Sequence, residues 1–136
     1  MSLRVGVAGL GGMGLVHARN ALGIEGARLV AIASTRRDVA DAAAAELGVR
    51  ASGYDELFAA DDVDAVVLAA RSIDHARLAV AVLEAGKHLF LEKPGATTLV
   101  GHDAVRSAAA DRPGQVVQVG YNRRFDPRWQ LSLIHI

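Results

Sequence analysis

The 136-residue sequence contains no cysteine, which excludes a disulfide framework and a thiolate metal site. It has no excess of either charge, because 15 basic and 15 acidic side chains cancel. Nucleic acids and anionic membrane surfaces are therefore not expected partners. No apolar run has the length of a signal sequence or a membrane span. Together these absences predict a cytoplasmic globular protein that binds a small molecule.

The chain has instead a hydrophobic content of 51% and a repeated alternation of strand and helix patterns. Each of the first four apolar runs, which predict strands, is followed by a stretch with helical spacing, and a fifth predicted strand ends the series. Strands that are apolar throughout and joined by helices of several turns are typical of a parallel sheet covered on both faces. The predicted fold class is a doubly wound α/β domain with strands at 4–9, 27–34, 63–70, 87–92 and 115–120.

A glycine-rich motif follows the first predicted strand and opens the first helix. It fits the pattern G-x-G-x-x-G, in which glycines make a tight turn, admit a pyrophosphate and let the helix pack closely. The N–H groups at the helix N-terminus would then hold the anion. A glycine-rich turn without a ligand and a methyltransferase loop are the alternatives. The motif predicts a cofactor-binding loop made of Gly9, Leu10, Gly11, Gly12, Met13 and Gly14.

The end of the second predicted strand bears on the choice of dinucleotide. Enzymes that use NAD usually offer a carboxylate to the ribose about 20 residues after the glycines. This chain has Ser34, Thr35, Arg36 and Arg37 there. A small hydroxyl leaves room for a 2′-phosphate, and arginines can donate to it in pairs. The segment favours NADP, with NAD as the second option; the alternative is a solvated helix start without a specific role.

Charged residues also follow the fourth predicted strand, at the edge where open α/β sheets bind ligands. Glu92, Lys93 and Pro94 lie there. Lys93 could donate to a substrate hydroxyl, and Glu92 could orient it or contact a ribose. The alternative is a surface ion pair followed by a proline turn. His17, His88 and His102 are scattered, and their spacing predicts ordinary histidines and no metal site.

Three segments, the motif at 9–14, SIDHARLAVAVLEAGKHLFLEKPGATT at 72–98 and VQVGYNRRFDP at 117–127, occur in an order that resembles one oxidoreductase family. This is the glucose-fructose oxidoreductase, inositol dehydrogenase and rhizopine catabolism family, Gfo/Idh/MocA. The resemblance extends over about residues 3 to 130 and implies a Rossmann domain that binds a nicotinamide cofactor. The stretch NRRFDP is most similar to inositol 2-dehydrogenases.

The resemblance implies roles for several further residues. Lys93 would contact the reacting oxygen as the catalytic lysine, and Pro94 would follow a cis peptide bond. Ala70 and Arg71 would lie in a cofactor loop that His75, at a helix start, shapes beside the nicotinamide; Glu92 would belong to the same site. Two residues depart from the family pattern: Arg71 replaces a usual proline, and Ser34 replaces a usual acidic residue.

The predicted activity is hydride transfer between a nicotinamide and a polyol or sugar hydroxyl. The alternatives are a sugar or anhydrosugar reductase of the same family and a module that senses NADP without turnover. Residues 1–130 are interpreted as a Rossmann domain that is incomplete at its C-terminal end and lacks the substrate domain. The tail LSLIHI, 131–136, is interpreted as a sequencing-adapter scar. We therefore expect this chain to be inactive alone and its complete parent to be a homo-oligomer.

Overall fold

A computed structural model describes residues 2–129. Over this range strands and α-helices alternate, with 3₁₀ helices at Ser72–Asp74 and Asn122–Phe125. The regular elements are β1 (Leu3–Ala8), α1 (Gly12–Ala21), β2 (Ala27–Ala33), α2 (Arg37–Leu47), β3 (Arg50–Ser52), α3 (Tyr54–Ala59), β4 (Ala65–Leu68), α4 (His75–Glu84), β5 (His88–Leu91), α5 (Leu99–Ala110) and β6 (Val117–Val119).

The strands form one parallel sheet in the order β3-β2-β1-β4-β5-β6. This is the strand order of the doubly wound dinucleotide-binding fold, so the predicted fold class is confirmed. The direction of winding reverses between β1 and β4. The loops that leave these two strands therefore diverge, and they open a crevice at the carboxyl edge of the sheet.

Alternation of side chains along each strand builds a separate core on each face of the sheet. On one face, buried side chains of the central strands pack with α1 and α2, and Val7, Ala18 and Ile32 are fully buried there. On the other face, α3, α4 and α5 cover the sheet, and Leu57, Leu68, Val82, Leu83 and Leu91 form the center of that core. Strands that are buried on both faces explain why the sequence shows continuous apolar runs.

The ends of two helices follow the sequence signals. Gly48 ends α2 in the left-handed conformation, with φ of +69°, and its N–H donates to the carbonyl of Ala44. Thr98 caps α5, because its Oγ1 accepts the N–H of Gly101 at 3.1 Å. Thr97 and Thr98 are both residue types that favor this position, and the structure has Thr98 as the cap.

The structure corrects the sequence prediction between α2 and β4. Neither β3 nor α3 was predicted, and β4 covers only four of the eight residues at 63–70. β3 is a three-residue edge strand, too short to give a recognizable pattern. Ala69 and Ala70 are apolar but leave the sheet to form the loop after β4. The proposed adapter-derived tail at 131–136 lies outside the described residues.

Candidate functional site

The glycine-rich loop makes a sharp turn between β1 and α1. Gly9 has φ of +95°, and a Cβ there would lie 2.6 Å from the backbone nitrogen of Ala70. A Cβ on Gly14 would overlap the carbonyl oxygen of Gly9, so α1 can approach β1 this closely only with glycine. Gly11 and Gly12, in contrast, face open space, and a Cβ at either position would have no neighboring atom within 4 Å. The loop is thus tight where the backbone must pack and open where an anion would approach the N-terminus of α1.

A cleft of about 320 Å³ extends from this loop across the carboxyl ends of β1, β2 and β4. We call it the switch-point cleft, after the reversal of winding between β1 and β4. Many of its lining residues were predicted from sequence to bind the cofactor. The cleft is lined by Gly9, Leu10, Gly11, Ser34, Thr35, Arg36, Val39, Tyr54, Ala69, Ala70 and Arg71.

The segment after β2 supplies the polar rim of the cleft. Ser34 Oγ accepts the backbone N–H of Arg36 at 3.1 Å and so fixes the turn into α2. The Arg36 guanidinium donates to the carboxylate of Asp38 at 3.0 Å and holds the pKa of that carboxyl below its usual value. Arg37 points elsewhere: it donates to Asp41 at 2.9 Å along α2 and does not line the cleft. Of the two arginines singled out from the sequence, only Arg36 is placed at the rim.

Besides Ala69 of the loop after β4, two cleft residues had no signal in the sequence motifs. Val39 lies in the first turns of α2, and Tyr54 begins α3. Tyr54 stacks on Phe58 with ring centroids 6.2 Å apart, and burial raises the pKa of its hydroxyl. Only the recognition of α3 could have identified Tyr54, because it is far from the glycine motif in sequence. Both side chains add apolar surface to the rim beside Arg36.

His75 joins the loop after β4 to the turn after β5. The residue is 1% exposed, with Nε2 of its ring 2.9 Å from the carbonyl oxygen of Ala70 and Nδ1 2.6 Å from that of Pro94. His75 is the first residue of α4, as the resemblance implies. It lies beneath the two loops, in the position of a residue that shapes them.

The turn after β5 presents Lys93 to solvent. The Lys93–Pro94 peptide bond is cis, as the resemblance implies. Lys93 lines a second cavity, of about 570 Å³, with residues 121–124 of the segment after β6. Within residues 2–129, its ammonium group has no hydrogen-bond or ion-pair partner. The surface ion pair between Glu92 and Lys93 that the sequence left open is therefore not formed there.

Glu92 is turned inward, toward α1. One carboxylate oxygen, Oε1, lies 2.8 Å from Nε2 of His17, and the other accepts the backbone N–H of Lys93 at 3.0 Å. Both side chains are largely buried, with 12% exposure for Glu92 and 19% for His17. From the sequence, His17 was predicted to be an ordinary histidine. Its position three residues after Gly14, on the same side of α1, is the signal that could have linked it to the site.

Neither a metal cluster nor a membrane helix is found in the described part of the chain. Between residues 2 and 129, no three His, Cys, Asp or Glu side chains are grouped so that they could hold a metal ion. The helices of the same range are too short or too polar to cross a membrane; the longest has 12 residues, against about 20 for a span. The candidate site is thus a crevice lined by backbone amides, hydroxyls and cationic side chains.

The comparisons with known proteins agree with this geometry. Inositol 2-dehydrogenase 1 of Saccharopolyspora erythraea is 41% identical, and the match covers 95% of this chain and 40% of that protein. The 4-carboxy-2-hydroxymuconate-6-semialdehyde dehydrogenase of Sphingobium sp. is 38% identical over 94% of this chain and 41% of its own length. The chain therefore spans about 40% of the length of these curated relatives.

A solved structure is similar over almost the whole chain. The scyllo-inositol dehydrogenase of Lactobacillus casei with bound NAD(H) and scyllo-inositol superimposes with a TM-score of 0.90 and 32% identity, covering 99% of this chain and 41% of that one. Residues 3–121 also match the oxidoreductase family with an NAD-binding Rossmann fold. The fold, the glycine loop and these matches together show that the chain belongs to the Gfo/Idh/MocA oxidoreductase family and is its nicotinamide-cofactor-binding domain.

Proposed function

We propose that the chain supplies the cofactor-binding part of an enzyme that transfers hydride between a nicotinamide and a polyol or sugar hydroxyl. The relatives that are inositol dehydrogenases support a cyclic polyol as the substrate class. The open space at Gly11 and Gly12 fits a pyrophosphate, because a ligand can approach the backbone there without a side chain in its way. The apolar surfaces of Val39 and Tyr54 fit an adenine ring at the other end of the cleft.

The ammonium group of Lys93, which has no hydrogen-bond or ion-pair partner among residues 2–129, is the observation that carries this proposal. It stands at the carboxyl end of β5 and, within the described residues, faces a cavity shared with the segment after β6. When bound, a nicotinamide accepts or donates the hydride. Lys93 would bind the substrate oxygen and stabilize the negative charge that grows on it as its proton leaves.

Substitution of Lys93 tests the activity, and the chain offers a matched control. Lys87 is the one other lysine in the sequence, and its Nζ donates to the carbonyl of Ala60, away from the cleft. In the complete protein, we expect Lys93→Met to lower inositol-dependent reduction of NADP⁺ by about a hundredfold or more. Binding of NADP⁺ by this variant should remain near that of the wild type, and Lys87→Met should keep its rate. Equal rates for Lys93→Met and the wild type would favor a module that binds NADP without turnover.

We further propose that the cleft prefers NADP over NAD. The position directly after β2, where an acidic residue would bind the ribose of NAD, is occupied by Ser34. Arg36 lines the cleft nearby, where a 2′-phosphate on the ribose would lie. Asp38 holds the Arg36 guanidinium with a charge-assisted hydrogen bond and so limits the positions it samples. Arg36 would then donate to the 2′-phosphate from the side away from Asp38.

Paired arginine variants test the preference. We expect Arg36→Ala to weaken NADP⁺ binding by about ten- to a hundredfold and to leave NAD⁺ binding nearly unchanged. Arg37→Ala is the matched control, since Arg37 pairs with Asp41 outside the cleft, and it should change neither affinity. Both dissociation constants can be measured by titration calorimetry. Tighter binding of NAD⁺ than NADP⁺ by the wild type would contradict the preference and indicate Asp38 as a ribose ligand.

A further inference from the structure

His17 connects the helix of the glycine loop to the turn that carries Lys93. Its Nε2 is 2.8 Å from Glu92 Oε1, and the second oxygen of the same carboxylate holds the backbone N–H of Lys93. The backbone N–H of Glu92 donates to the carbonyl of Leu68 in the loop-bearing end of β4. A continuous set of hydrogen bonds therefore runs from α1 through Glu92 to the backbone of Lys93.

The ring of His17 is held in place by its neighbors. Its edge meets Phe90 on β5, with centroids 5.3 Å apart and planes inclined at 64°. A Cβ on Gly120 would lie 3.0 Å from the ring of Phe90 and 3.5 Å from Glu92 Oε1, so the chain after β6 closes this pocket closely. Packing of this kind leaves the imidazole few rotamers. Because α1 is itself locked to β1 at Gly14, the position of His17 follows that of the glycine loop.

The Glu92 carboxylate could adopt either of two arrangements. It could turn outward and pair with the ammonium group of the adjacent Lys93, and this pairing would block the group that is proposed to bind the substrate oxygen. It instead turns inward, where His17 and the Lys93 backbone satisfy both of its oxygens. A largely buried carboxylate that lost its imidazole donor would be unsatisfied and would seek another cation.

We propose that His17 is a positioning residue that keeps the Glu92 carboxylate away from the Lys93 ammonium group and fixes the Lys93 backbone relative to the glycine loop. This inference rests on the proposed role of Lys93 for its functional consequence. Among the described residues, His17 lines neither the switch-point cleft nor the cavity beside Lys93. Its effect on turnover is therefore exerted through Glu92.

The two lysines of the chain allow a test that needs neither cofactor nor substrate. Reductive methylation with ¹³C-formaldehyde gives separate NMR signals for Lys87 and Lys93, and the Lys87 signal reports whether the fold is intact. In His17→Leu, we expect the Lys93 signal to shift and the Lys87 signal to stay. In His17→Gln, whose amide N–H₂ can replace the Nε2–H, the Lys93 signal should remain as in the wild type.

A double variant identifies Glu92 as the intermediary. In His17→Leu with Glu92→Gln, the carboxylate that would capture Lys93 is gone, so the Lys93 signal should return toward that of Glu92→Gln alone. If His17→Leu does not fold, as judged by the Lys87 signal and circular dichroism, His17→Asn replaces it, because its shorter amide does not reach Glu92. A Lys93 signal that is unchanged in a folded His17→Leu or His17→Asn chain would overturn the proposal.

Kinetics of the complete protein separate this inference from the proposed function. We expect His17→Leu to lower kcat by roughly ten- to a hundredfold with the KM for the cofactor nearly unchanged, and His17→Gln to restore it. Absence of polyol oxidation in the wild type would refute the proposed function, while the NMR result would still decide the role of His17. A loss confined to the cofactor KM would contradict positioning through Glu92.

Discussion

At the scale of single residues, the glycine loop separates packing from binding. Gly14 has no room for a Cβ, because the carbonyl of Gly9 occupies that space, whereas Gly11 has open space and an extended backbone that any residue adopts. The two positions carry the same residue type for different reasons. Substitution by alanine at each position should therefore give opposite outcomes for stability and for cofactor binding.

We expect Gly14→Ala to lower the free energy of unfolding by about 1–3 kcal/mol or more, since α1 must move away from β1. Gly11→Ala should keep or slightly raise stability, by up to about 1 kcal/mol, because alanine restricts the unfolded chain. Its methyl group would nevertheless block the approach of a pyrophosphate and weaken NADP⁺ binding by about tenfold or more. Urea unfolding and calorimetric titration measure both effects. A destabilized Gly11→Ala, or one with wild-type affinity, would disagree with this assignment.

Single residues also show how far sequence reasoning located the candidate site. Ser34 and Arg36 were predicted to bind the cofactor from their spacing to the glycines and their chemistry; both line the cleft, and their role in binding stays a prediction. Arg37 has the same charge one position later, but the helical turn directs it to Asp41. The direction of each arginine side chain depends on the residue at which α2 begins. If that boundary is placed one residue off, the two arginines exchange their expected positions relative to the cleft.

At the scale of elements, β1 and β4 are joined by side chains as well as by the sheet. Arg4 donates to Asp64 from its backbone N–H and twice from its guanidinium, at 2.8, 2.9 and 2.6 Å. Asp64 in turn donates its backbone N–H to the carbonyl of Arg4 at 2.8 Å. The hydrogen bonds of Arg4 hold the pKa of the Asp64 carboxyl well below its usual range. This cluster lies at the end of the sheet opposite the cleft.

The lowered pKa of Asp64 makes its contribution to stability dependent on pH. A carboxyl whose pKa is lower in the folded state stabilizes the fold above its unfolded pKa, about 4, and loses this contribution as the pH falls toward the folded value. Asp64→Asn should therefore reduce Tm at neutral pH, and the difference from the wild type should shrink below about pH 4. Asp41→Asn, which breaks an exposed pair on α2, should have little effect. A Tm difference for Asp64→Asn that grows in acid would contradict this role of the carboxylate.

Whether an element could be predicted from the sequence depends on its length. Strands that cross the core, such as β1 and β2, gave long apolar runs and were located to within a residue or two. β3 is a three-residue edge strand and α3 has only six residues, so neither period develops. Their omission concealed Tyr54 at the cleft, and it could not be recovered from spacing because its place there depends on α3, which follows the β3 strand that pairs with β2.

At the scale of the whole molecule, the order of the strands brings the site together. The glycine loop follows β1, the Ser34–Arg36 rim follows β2, and the loop with Ala70 follows β4; these three strands are adjacent in the sheet. Lys93 follows β5, the next strand along the same edge. The alternation of elements and the motifs predicted a doubly wound sheet with these segments after its strands, whereas the order of the strands comes from the structure. The contacts beneath it, from His75 and His17 to the two loops, depend on packing that the sequence pattern does not reveal.

An NMR titration of the ¹⁵N-labeled chain with NADP⁺ tests the central claim most directly, because it reports where the cofactor binds. We predict saturable changes in amide shifts at Gly11, Gly12, Ser34 and Arg36, at the carboxyl edge of the sheet. Amides at the opposite edge, including those of Leu3 and Ala27, should stay unchanged. Saturable shifts that cluster at the opposite edge, or a folded chain without shifts at millimolar NADP⁺ and NAD⁺, would contradict the assignment of the switch-point cleft as the cofactor site.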